Sequence, residues 1–292
     1  MTLIWLRIIV LLCSCVSVMT LAEASPYVVE VRAVSPDRVD NYYAILLKMV
    51  LAASKKPNET IDIRFSDRQF TQARWIAEVQ SGHLNEVMWT TTSKEREQLL
   101  RPIRIPLFKG LLGKRILVIR RQDQAIFAKV NTKEDLALLV AGQNAHWSDT
   151  EILKANGMLV TMGGGKENLY KMLQAGRFDY FPRGVSEIAS EASFLEGTDL
   201  MIEEHLMLSY TMPIYFFVNK DNTELAERLE KGLRLMLKNG EFDEYFYSHP
   251  RIKVGIAELK KHKRKIIELD NPFLPDETPI NHPDYWLDVT KY

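Results

Sequence analysis

The sequence predicts an α/β fold built as two lobes. Short apolar stretches typical of strands alternate with longer amphipathic stretches typical of helices, and this order indicates sheets with crossover helices. The chain has 292 residues, 46% of them hydrophobic and 26% charged, which is an ordinary composition for a folded protein. This length exceeds one small core and suits two lobes of common domain size.

The amino terminus has the three parts of a secretory signal. Arg7 precedes an apolar run over 8–18, and Ala22-Glu23-Ala24 forms a small-x-small cleavage site. We expect cleavage after Ala24, which makes 1–24 a signal peptide and the mature protein an exported one. Two alternatives stay open: a membrane anchor, for which the apolar run is about half of the ~20 residues needed, and lipid attachment at Cys15.

Charge and cysteine content exclude several classes of function. Lysine and arginine total 38, and aspartate and glutamate total 38, so the formal net charge is zero. No sequence-wide attraction to nucleic acid or anionic membrane is expected. Cys13 and Cys15 are the two cysteines, so the folded body has no disulfide framework, thiol nucleophile or cysteine metal site. The six histidines are scattered, and we predict no metal or cofactor.

The first alternating unit begins just after the signal. Asp40 is placed to cap its first helix and Gly82 to end its second, while Ser93 is placed to cap a third. The polar residues before Ser93 read as a loop at the carboxyl end of a strand, where ligands collect in open α/β sheets. The unit comprises strands at 28–34, 61–65 and 86–89, helices at 40–54 and 71–81, and the loop 90–93.

A second alternating unit follows the extended segments 103–106 and 116–119, and the latter is a candidate crossing between lobes. The strand 213–219 would return the chain, and the helix 223–238 has apolar residues spaced to form one buried face. The second unit comprises helices at 133–140, 149–156 and 167–174, the loop 142–149, and strands at 158–162 and 178–181.

Four segments in the same order resemble the family 3 periplasmic solute-binding proteins, the two-lobed receptors associated with amino-acid uptake transporters. They are Thr-Thr-Ser-Lys-Glu-Arg at 91–96, Ala-Gly-Arg-Phe-Asp-Tyr at 175–180, Tyr-Phe-Phe-Val-Asn-Lys at 215–220, and the helix-Gly-helix stretch 225–246. The resemblance extends over about 27–248, and the ordered set is more specific than any one member.

The resemblance implies two lobes joined by two crossing hinge strands, with a ligand enclosed when the hinge closes. The first lobe is expected to contain 25–118 and 213–292, and the second lobe 119–212. The tail 269–292 lies beyond the resemblance, and we expect its aromatic residues to pack on the first lobe. The implied partners are a small-molecule solute and a membrane permease or sensor, with no nucleic acid, and the receptor is expected to be a monomer.

The resemblance also places candidate ligand residues on the first lobe. Arg96 stands where the family grips a ligand carboxylate, and a guanidinium offers paired donors that match a carboxylate. The alternative is a solvated arginine in a charged helix. Thr91 and Thr92 can donate hydroxyl bonds to the same carboxylate or close the loop on its own backbone. Trp89, in the preceding strand, is a further candidate.

The second lobe contributes Trp147, as a ligand wall or as plain core. Its next segment departs from the family, which usually carries a carboxylate for the ligand ammonium a few residues beyond the position of Asp179. This chain has Arg183 there, followed one helical turn later by Glu187. If Arg96 and Arg183 both face the cleft, a dianionic ligand fits best. Glu187 can replace the missing acid or neutralise Arg183.

Three functions remain open at this point. The leading one is a non-catalytic receptor for a small polar, carboxylated ligand, either amino acid-like or dianionic. The second is a periplasmic enzyme on the same scaffold, similar to dehydratases of the superfamily, with Glu187 as general acid. The third is a ligand-free sensory or scaffold protein. We expect no enzyme activity.

Overall fold

The computed structural model describes residues 26–33, 41–66, 70–82 and 85–292. The predicted signal peptide, Cys15 and the predicted cap Asp40 lie outside this part. No helix among the described residues is both long enough and apolar enough to cross a membrane.

Strands and helices alternate along most of the chain, as the sequence predicts. The elements up to the first crossing are β1 (Tyr27–Val31), α1 (Tyr42–Ala53), β2 (Ile61–Phe65), α2 (Gln72–Ser81), β3 (Met88–Thr91), α3 (Lys94–Leu99) and β4 (Arg101–Ile103). Those that follow are β5 (Lys114–Arg120), α4 (Gln124–Phe127), α5 (Lys133–Ala137), β6 (Val140–Asn144), α6 (Ser148–Ala155), β7 (Leu159–Gly163), α7 (Lys166–Gln174), β8 (Tyr180–Gly184) and β9 (Leu200–Ser209). The remaining elements are β10 (Ile214–Val218), α8 (Thr223–Asn239), α9 (Glu241–Ser248), α10 (Pro250–Lys261) and β11 (Lys265–Glu268).

The first lobe is formed by two small sheets. Strands β1 and β2 pair in parallel, and β3 and β4 both pair antiparallel with β10. A parallel bridge between Glu30 and Glu86 connects the two sheets just before β3. The second lobe is formed by one mixed sheet in the order β11-β9-β5-β8-β6-β7. Helices flank these sheets, so the α/β class predicted from the alternation is confirmed.

Two segments carry the chain between the sheets. Strand β5 pairs with β8 and β9 along its whole length, so it lies entirely in the second lobe. The first crossing therefore precedes it, in 104–113, whereas the sequence placed the crossing at 116–119. The second crossing is the short segment 210–213 between β9 and β10. Strand β5 also spans the predicted lobe boundary at residue 118.

Helix α8 follows its sequence pattern closely. Asn222 caps its start by accepting a hydrogen bond from the Leu225 backbone N–H at 3.1 Å, and Gly240 ends it in the left-handed region at φ 87°. The helix packs against α1 so closely that a Cβ at Gly232 would lie 2.2 Å from the Val50 carbonyl oxygen. Its fully buried face consists of Leu225, Leu229, Leu233 and Met236.

Three strands escaped the sequence analysis. Strand β6 occupies part of the predicted loop 142–149. The sequence analysis missed this strand because Gly142 and Asn144 have low strand propensity. Strand β9 contains the fully buried Glu203, whose carboxylate accepts hydrogen bonds from the backbone N–H groups of His205 at 2.8 Å and Leu206 at 2.6 Å. This buried carboxylate interrupts the apolar pattern of the strand, so the pattern did not indicate a strand there.

The third missed strand changes the assignment of the carboxyl-terminal region. The sequence analysis assigned all of 213–292 to the first lobe, but β11 pairs in parallel with β9 of the second lobe. After β11 the tail returns, and Tyr285, Leu287 and Val289 are buried in the apolar cluster that also contains the first-lobe core. Tyr285 is thus buried, whereas Phe273 is 41% exposed, and the tail reaches the first lobe only after an unexpected passage through the second lobe.

Candidate functional site

A cleft with two adjoining chambers lies between the lobes, and a third chamber continues it along the second lobe. The Arg96 chamber, of about 460 Å³, is lined by Arg96, Glu151 and Phe273 among others. The central chamber, of about 290 Å³, is lined by residues of both lobes, including Gln72 and Gln143. The α10 chamber, of about 640 Å³, opens beside helix α10. Thr91, Ser148 and Met212 line both the Arg96 and central chambers, while Trp147, Arg183 and Glu187 line both the central and α10 chambers.

Arg96 is positioned by the cap of helix α3. The Ser93 hydroxyl accepts a hydrogen bond from the Arg96 backbone N–H at 3.2 Å, which confirms the predicted cap. The guanidinium Nη1 donates to the Thr91 carbonyl oxygen, and Nη1 also lies 3.4 Å from the Thr91 hydroxyl. Burial lowers the pKa of Arg96, while the charge of Glu95 raises it.

One hydrogen-bond donor of the Arg96 guanidinium, its Nε–H, is unused within the described part of the chain, and we call it the reserve donor. Among the described residues, its buried Nε–H has no hydrogen-bond partner. A buried charged donor without an acceptor is costly, so a side-chain rotation that turns this N–H toward an acceptor in the chamber would be favourable. Arg96 can therefore hold a carboxylate without first breaking a salt bridge.

Thr91 and Thr92 differ in what they can offer. Thr91 ends strand β3 rather than lying in a loop, and it lines two chambers. The Thr92 hydroxyl donates to Glu97 at 2.6 Å, and Glu97 also accepts a bond from Arg104 Nε at 3.1 Å. Thr92 lines the Arg96 chamber, but its proton is committed to this local network.

Trp89 is not among the lining residues of these chambers in the described structure. Its ring packs edge-on to Trp75 at a centroid distance of 5.0 Å and lies nearly parallel to Tyr43 at 6.0 Å. A third neighbour is Phe216, at 6.5 Å. Trp89 therefore supports strand β3 from within the core.

Trp147 lies at the boundary of two chambers, where it stacks on residues of its own lobe. Its ring is 5° from parallel with Phe181, at a centroid distance of 6.3 Å. The Arg183 guanidinium lies 4.9 Å from the Trp147 ring centre, within the range of a cation–π contact. The indole therefore forms a wall of the cleft, and the Arg183 guanidinium covers part of its ring face.

Arg183 lines the cleft and is paired with carboxylates of its own lobe. Its Nε and Nη2 donate to the two oxygens of Glu191 at 2.7 and 2.6 Å, and its Nη2 lies 3.3 Å from Glu187. Tyr170 donates its hydroxyl proton to Glu191 at 2.7 Å, and Lys166 lies 3.4 Å from the same carboxylate. The sequence analysis missed Glu191, whose negative charge offsets that of Arg183, the second cation on which the dianionic ligand depended.

Glu187 is surrounded by three arginines. Its carboxylate lies 3.1 Å from Arg115, 3.3 Å from Arg183 and 3.8 Å from Arg251, and it accepts a bond from the Gly184 backbone N–H at 3.0 Å. Burial raises the pKa of Glu187, but these charges outweigh burial and lower the pKa to about 2. The group is therefore ionised at neutral pH and has no proton to donate.

A buried network that the sequence analysis missed centres on Arg115. Its guanidinium contacts Asp149 at 2.7 Å, the Tyr210 hydroxyl at 3.1 Å and Glu187 at 3.1 Å, and the Tyr210 hydroxyl also donates to Asp149. These residues belong to β5, α6, the second crossing and the segment after β8. One signal was available: Arg115 stands directly before the buried apolar run 116–119.

Gln143 is the remaining polar group of interest in the central chamber. The residue is 1% exposed, and among the described residues its side-chain oxygen has no hydrogen-bond partner. Within the same part of the chain, no cluster of histidine, cysteine, aspartate or glutamate could hold a metal ion. The chambers therefore offer hydrogen bonds and one arginine with a donor in reserve.

No family model and no curated protein matches the sequence. Solved structures match its fold. An ancestral arginine-binding protein bound to arginine matches with a TM-score of 0.52 and 17% identity, over 77% of this chain and 98% of that chain. The GluR0 ligand-binding core from Nostoc punctiforme, in complex with L-glutamate, matches with a TM-score of 0.51 and 16% identity, over 76% and 98%.

A third match is an amino acid ABC transporter substrate-binding protein from Streptococcus pneumoniae, bound to L-arginine. It has a TM-score of 0.51 and 18% identity, over 79% of this chain and 95% of that chain. At these identities the similarity shows the fold alone. The chain has the type II periplasmic binding protein fold, as its sequence segments predicted.

Proposed function

We propose that this protein is an extracytoplasmic receptor that captures a small carboxylated solute between its two lobes. The observation that supports this function best is the reserve donor of Arg96, buried at the edge of a cleft lined by both lobes. A ligand that contacts both lobes stabilises the form in which they are close, and its differential affinity sets how far that form is populated. The ligand-loaded form would then be presented to a membrane permease or sensor.

The charges of the cleft favour a ligand with one carboxylate. Arg115 is paired with Asp149, and Arg183 with Glu191, so neither arginine needs a ligand anion. Arg96 is the cation with an unused buried donor among the described lining residues. The Arg96 and central chambers, at about 460 and 290 Å³, suit a molecule of amino-acid size. An amino acid-like ligand is therefore the better match than a dianion.

The enzyme alternative has less support. A general acid needs a pKa near the working pH, and the pKa of Glu187 is lowered to about 2. The proteins in the matched structures are described as binding proteins or binding cores. The ligand-free scaffold alternative makes a different prediction, namely an empty cleft that no solute stabilises.

A ligand panel separates these functions. Native mass spectrometry of the gently purified protein would reveal a retained solute, and thermal unfolding would be followed with single amino acids, dicarboxylates and uncharged controls. The receptor predicts a rise in melting temperature with a subset of carboxylates, because a ligand that binds the folded state stabilises it. Chemical turnover of a ligand would favour the enzyme, and the absence of any shift would favour the scaffold.

The binding role of Arg96 has a matched control on the same lobe. Arg74 is an exposed arginine of α2 whose side chain lies 3.7 Å from Glu78, and it is not a lining residue of the cleft. Arg96→Ala should remove the thermal shift produced by a carboxylate, while Arg74→Ala should keep it. Equal shifts in both variants would exclude Arg96 from the site.

Export is a separate part of the proposal. We infer that 1–24 directs secretion and is removed after Ala24, so that the mature protein begins at Ser25. Sequencing the amino terminus of the exported protein tests this site. A start at Cys15 carrying a lipid would support the lipid-anchored alternative, and an uncleaved chain in the membrane fraction would support the anchor.

A further inference from the structure

The carboxyl-terminal region makes an additional passage between the lobes. We call residues 250–292 the C-terminal excursion: helix α10 leads from the first lobe to the second, β11 joins the second sheet, and the tail 269–292 returns. The resemblance in sequence ends near residue 248. The matched structures cover 76–79% of this chain but 95–98% of their own chains, so this chain carries residues beyond their fold.

The outward arm is packed firmly on the second lobe. A Cβ at Gly255 of α10 would lie 3.3 Å from Ser186 Cα, so the helix backbone lies against the segment after β8. Arg264, at the end of this arm, pairs with Glu258 at 3.1 Å and donates to the Glu203 carbonyl oxygen at 3.2 Å. Strand β11 then adds a parallel edge to β9.

The return arm is bonded to both lobes and to the second crossing within four residues. Asn156 of the second lobe donates to the Asp270 carbonyl at 2.7 Å and accepts from the Asp270 backbone N–H at 2.9 Å. The side chain of Asn271 donates to the Thr211 carbonyl at 2.9 Å. The Phe273 carbonyl accepts from the Lys94 backbone N–H of the first lobe at 3.1 Å.

The end of the tail holds the first crossing. The Lys109 ammonium donates to the Asp284 carbonyl at 2.9 Å, and the Leu287 backbone N–H donates to the Lys109 carbonyl at 2.8 Å. Lys109 and Gly110 both have left-handed backbones, with φ of 44° and 70°. A Cβ at Gly110 would lie 2.6 Å from the Trp286 ring, so the tail lies directly on this segment.

These contacts fall on the two segments that a hinge motion must use. Lobe closure is absorbed by φ and ψ changes at a few connecting residues. Here Lys109, Gly110 and Thr211 are each held by the C-terminal excursion. The same excursion raises the number of chain connections between the lobes from two to four. One cluster of buried apolar side chains also joins residues of both lobes, including Ile252 and Leu259 of α10.

We propose that the C-terminal excursion stiffens the hinge and holds the two lobes near the separation seen here, whether or not a ligand is present. Its arms also flank the cleft, because α10 lines the α10 chamber and 271–273 lines the Arg96 chamber. Ligand capture would then need only a small movement. This inference concerns the hinge and does not depend on the identity of the ligand.

The test measures the distance between the lobes before and after the excursion is cut. Spin labels are attached at Lys55→Cys on the first lobe and Arg177→Cys on the second, both exposed, in a Cys13→Ser/Cys15→Ser background that has no other cysteine. A protease site is inserted after Asp276, whose side chain is 94% exposed, and a second one after Lys263. Cutting the folded protein avoids the risk that a truncated chain fails to fold.

After cleavage at Asp276, residues 277–292 would stay packed on the first lobe, and the segment 269–276, still joined to the second lobe, would keep only weak ties to the first lobe. These are the bond between Lys94 N–H and the Phe273 carbonyl, and an exposed ion pair between Lys94 and Asp276 at 3.6 Å. An exposed pair contributes ~1 kcal/mol or less. The matched control carries the protease site after Glu196, in an exposed stretch that lies wholly within the second lobe.

Pulsed electron–electron distance measurements without ligand give the result. We expect one narrow distance distribution in the uncut and control-cut proteins, and a shift to longer and broader distances after both excursion sites are cut. A shift after the cut at Asp276 alone would assign the restraint to the return arm. An unchanged distribution after both cuts, or a broad distribution in the uncut protein, would overturn the proposal.

Discussion

Arg183 and Glu191 form a doubly bonded ion pair in the wall of the cleft, with nitrogen–oxygen distances of 2.6 and 2.7 Å. The two residues are only 5% and 2% exposed. Such a pair has given up most of its hydration, and each partner depends on the other for compensation. We therefore expect Arg183 to act as a structural charge of the second lobe, whereas the sequence suggested a ligand contact.

Removing one member of this pair should be costly. Arg183→Ala should lower the free energy of unfolding by about 3–5 kcal/mol, because the Glu191 carboxylate is left buried without its main partner. The double variant Arg183→Met/Glu191→Met should lose less than the sum of the two single variants. Urea unfolding measures each value.

An exposed pair on α8 serves as the control. Arg234 and Glu230 lie 2.6 Å apart with side chains 60% and 48% exposed, and Arg234→Ala should cost about 1 kcal/mol or less. If Arg183→Ala costs no more than this control, Arg183 is available to a ligand and the dianionic alternative returns.

The free energy of unfolding should depend on pH through Glu187, which loses its charge in acid. Its pKa is lowered from 4.5 to about 2 in the folded state, so its contribution is present above about pH 4.5 and is lost as the pH falls toward 2. At 1.36 kcal/mol per pKa unit, this contribution is about 3 kcal/mol. Glu187→Gln should therefore be less stable than the parent at pH 7, with the difference shrinking below pH 4.

Denaturant unfolding between pH 2.5 and pH 7 provides the measurement. The exposed Asp276 offers a control, because Asp276→Asn should leave the pH profile of stability nearly unchanged. A difference between Glu187→Gln and the parent that stays constant across this range would mean that Glu187 is not held ionised by its arginines.

Arg96→Ala should separate binding from stability. The side chain makes hydrogen bonds only with Thr91 among the described residues, so its loss should lower the free energy of unfolding by about 1 kcal/mol. Loss of a buried carboxylate contact should cost about 2–5 kcal/mol of binding free energy, a weakening of roughly 30-fold to several thousand-fold. Calorimetry with the ligand found in the panel measures this weakening, and a change under threefold would contradict the assigned role.

Gly110 tests the contact between the tail and the first crossing. Gly110 and Gly176 both have φ near 70°, but a Cβ at Gly176 would meet no atom within 4 Å, whereas at Gly110 it would lie 2.6 Å from Trp286. Gly176→Ala should cost about 1–2 kcal/mol from backbone strain alone. Gly110→Ala should cost about 1–3 kcal/mol more, because the indole must move. Equal losses in thermal unfolding would mean that Trp286 does not lie against this segment.

The parts of the fold that the sequence predicted well are those with local signals. Helix α2 runs from a threonine cap to a left-handed glycine at Gly82, and α8 has a continuous apolar face. Strands β9 and β11 lack such signals, because Glu203 interrupts one and the other is only four residues long. Their pairing depends on contacts distant in sequence, which a local pattern does not contain.

The candidate site also has a part with local sequence signals and a part that depends on tertiary contacts. Thr91 and Arg96 belong to a local motif around the cap of α3, so sequence reasoning could predict that they line the cleft. Arg115 and Glu191 act through partners 72 residues and eight residues away, respectively, and only the folded chain brings these charges together. The sequence therefore predicted the candidate ligand contact Arg96, but it did not predict the ion pairs of Arg115 and Glu191 that lie near it.

The Arg115 network has a thermodynamic consequence for ligand capture. Asp149, Tyr210 and Glu187 hold this guanidinium in one orientation in the lining of the central chamber. Ordering a loose side chain on binding costs about 0.5–1.5 kcal/mol, and here that entropy was lost when the chain folded. In the proposed receptor, such preorganisation would favour long residence times of a solute, because affinity differences within one kind of site arise mainly in the rate of dissociation.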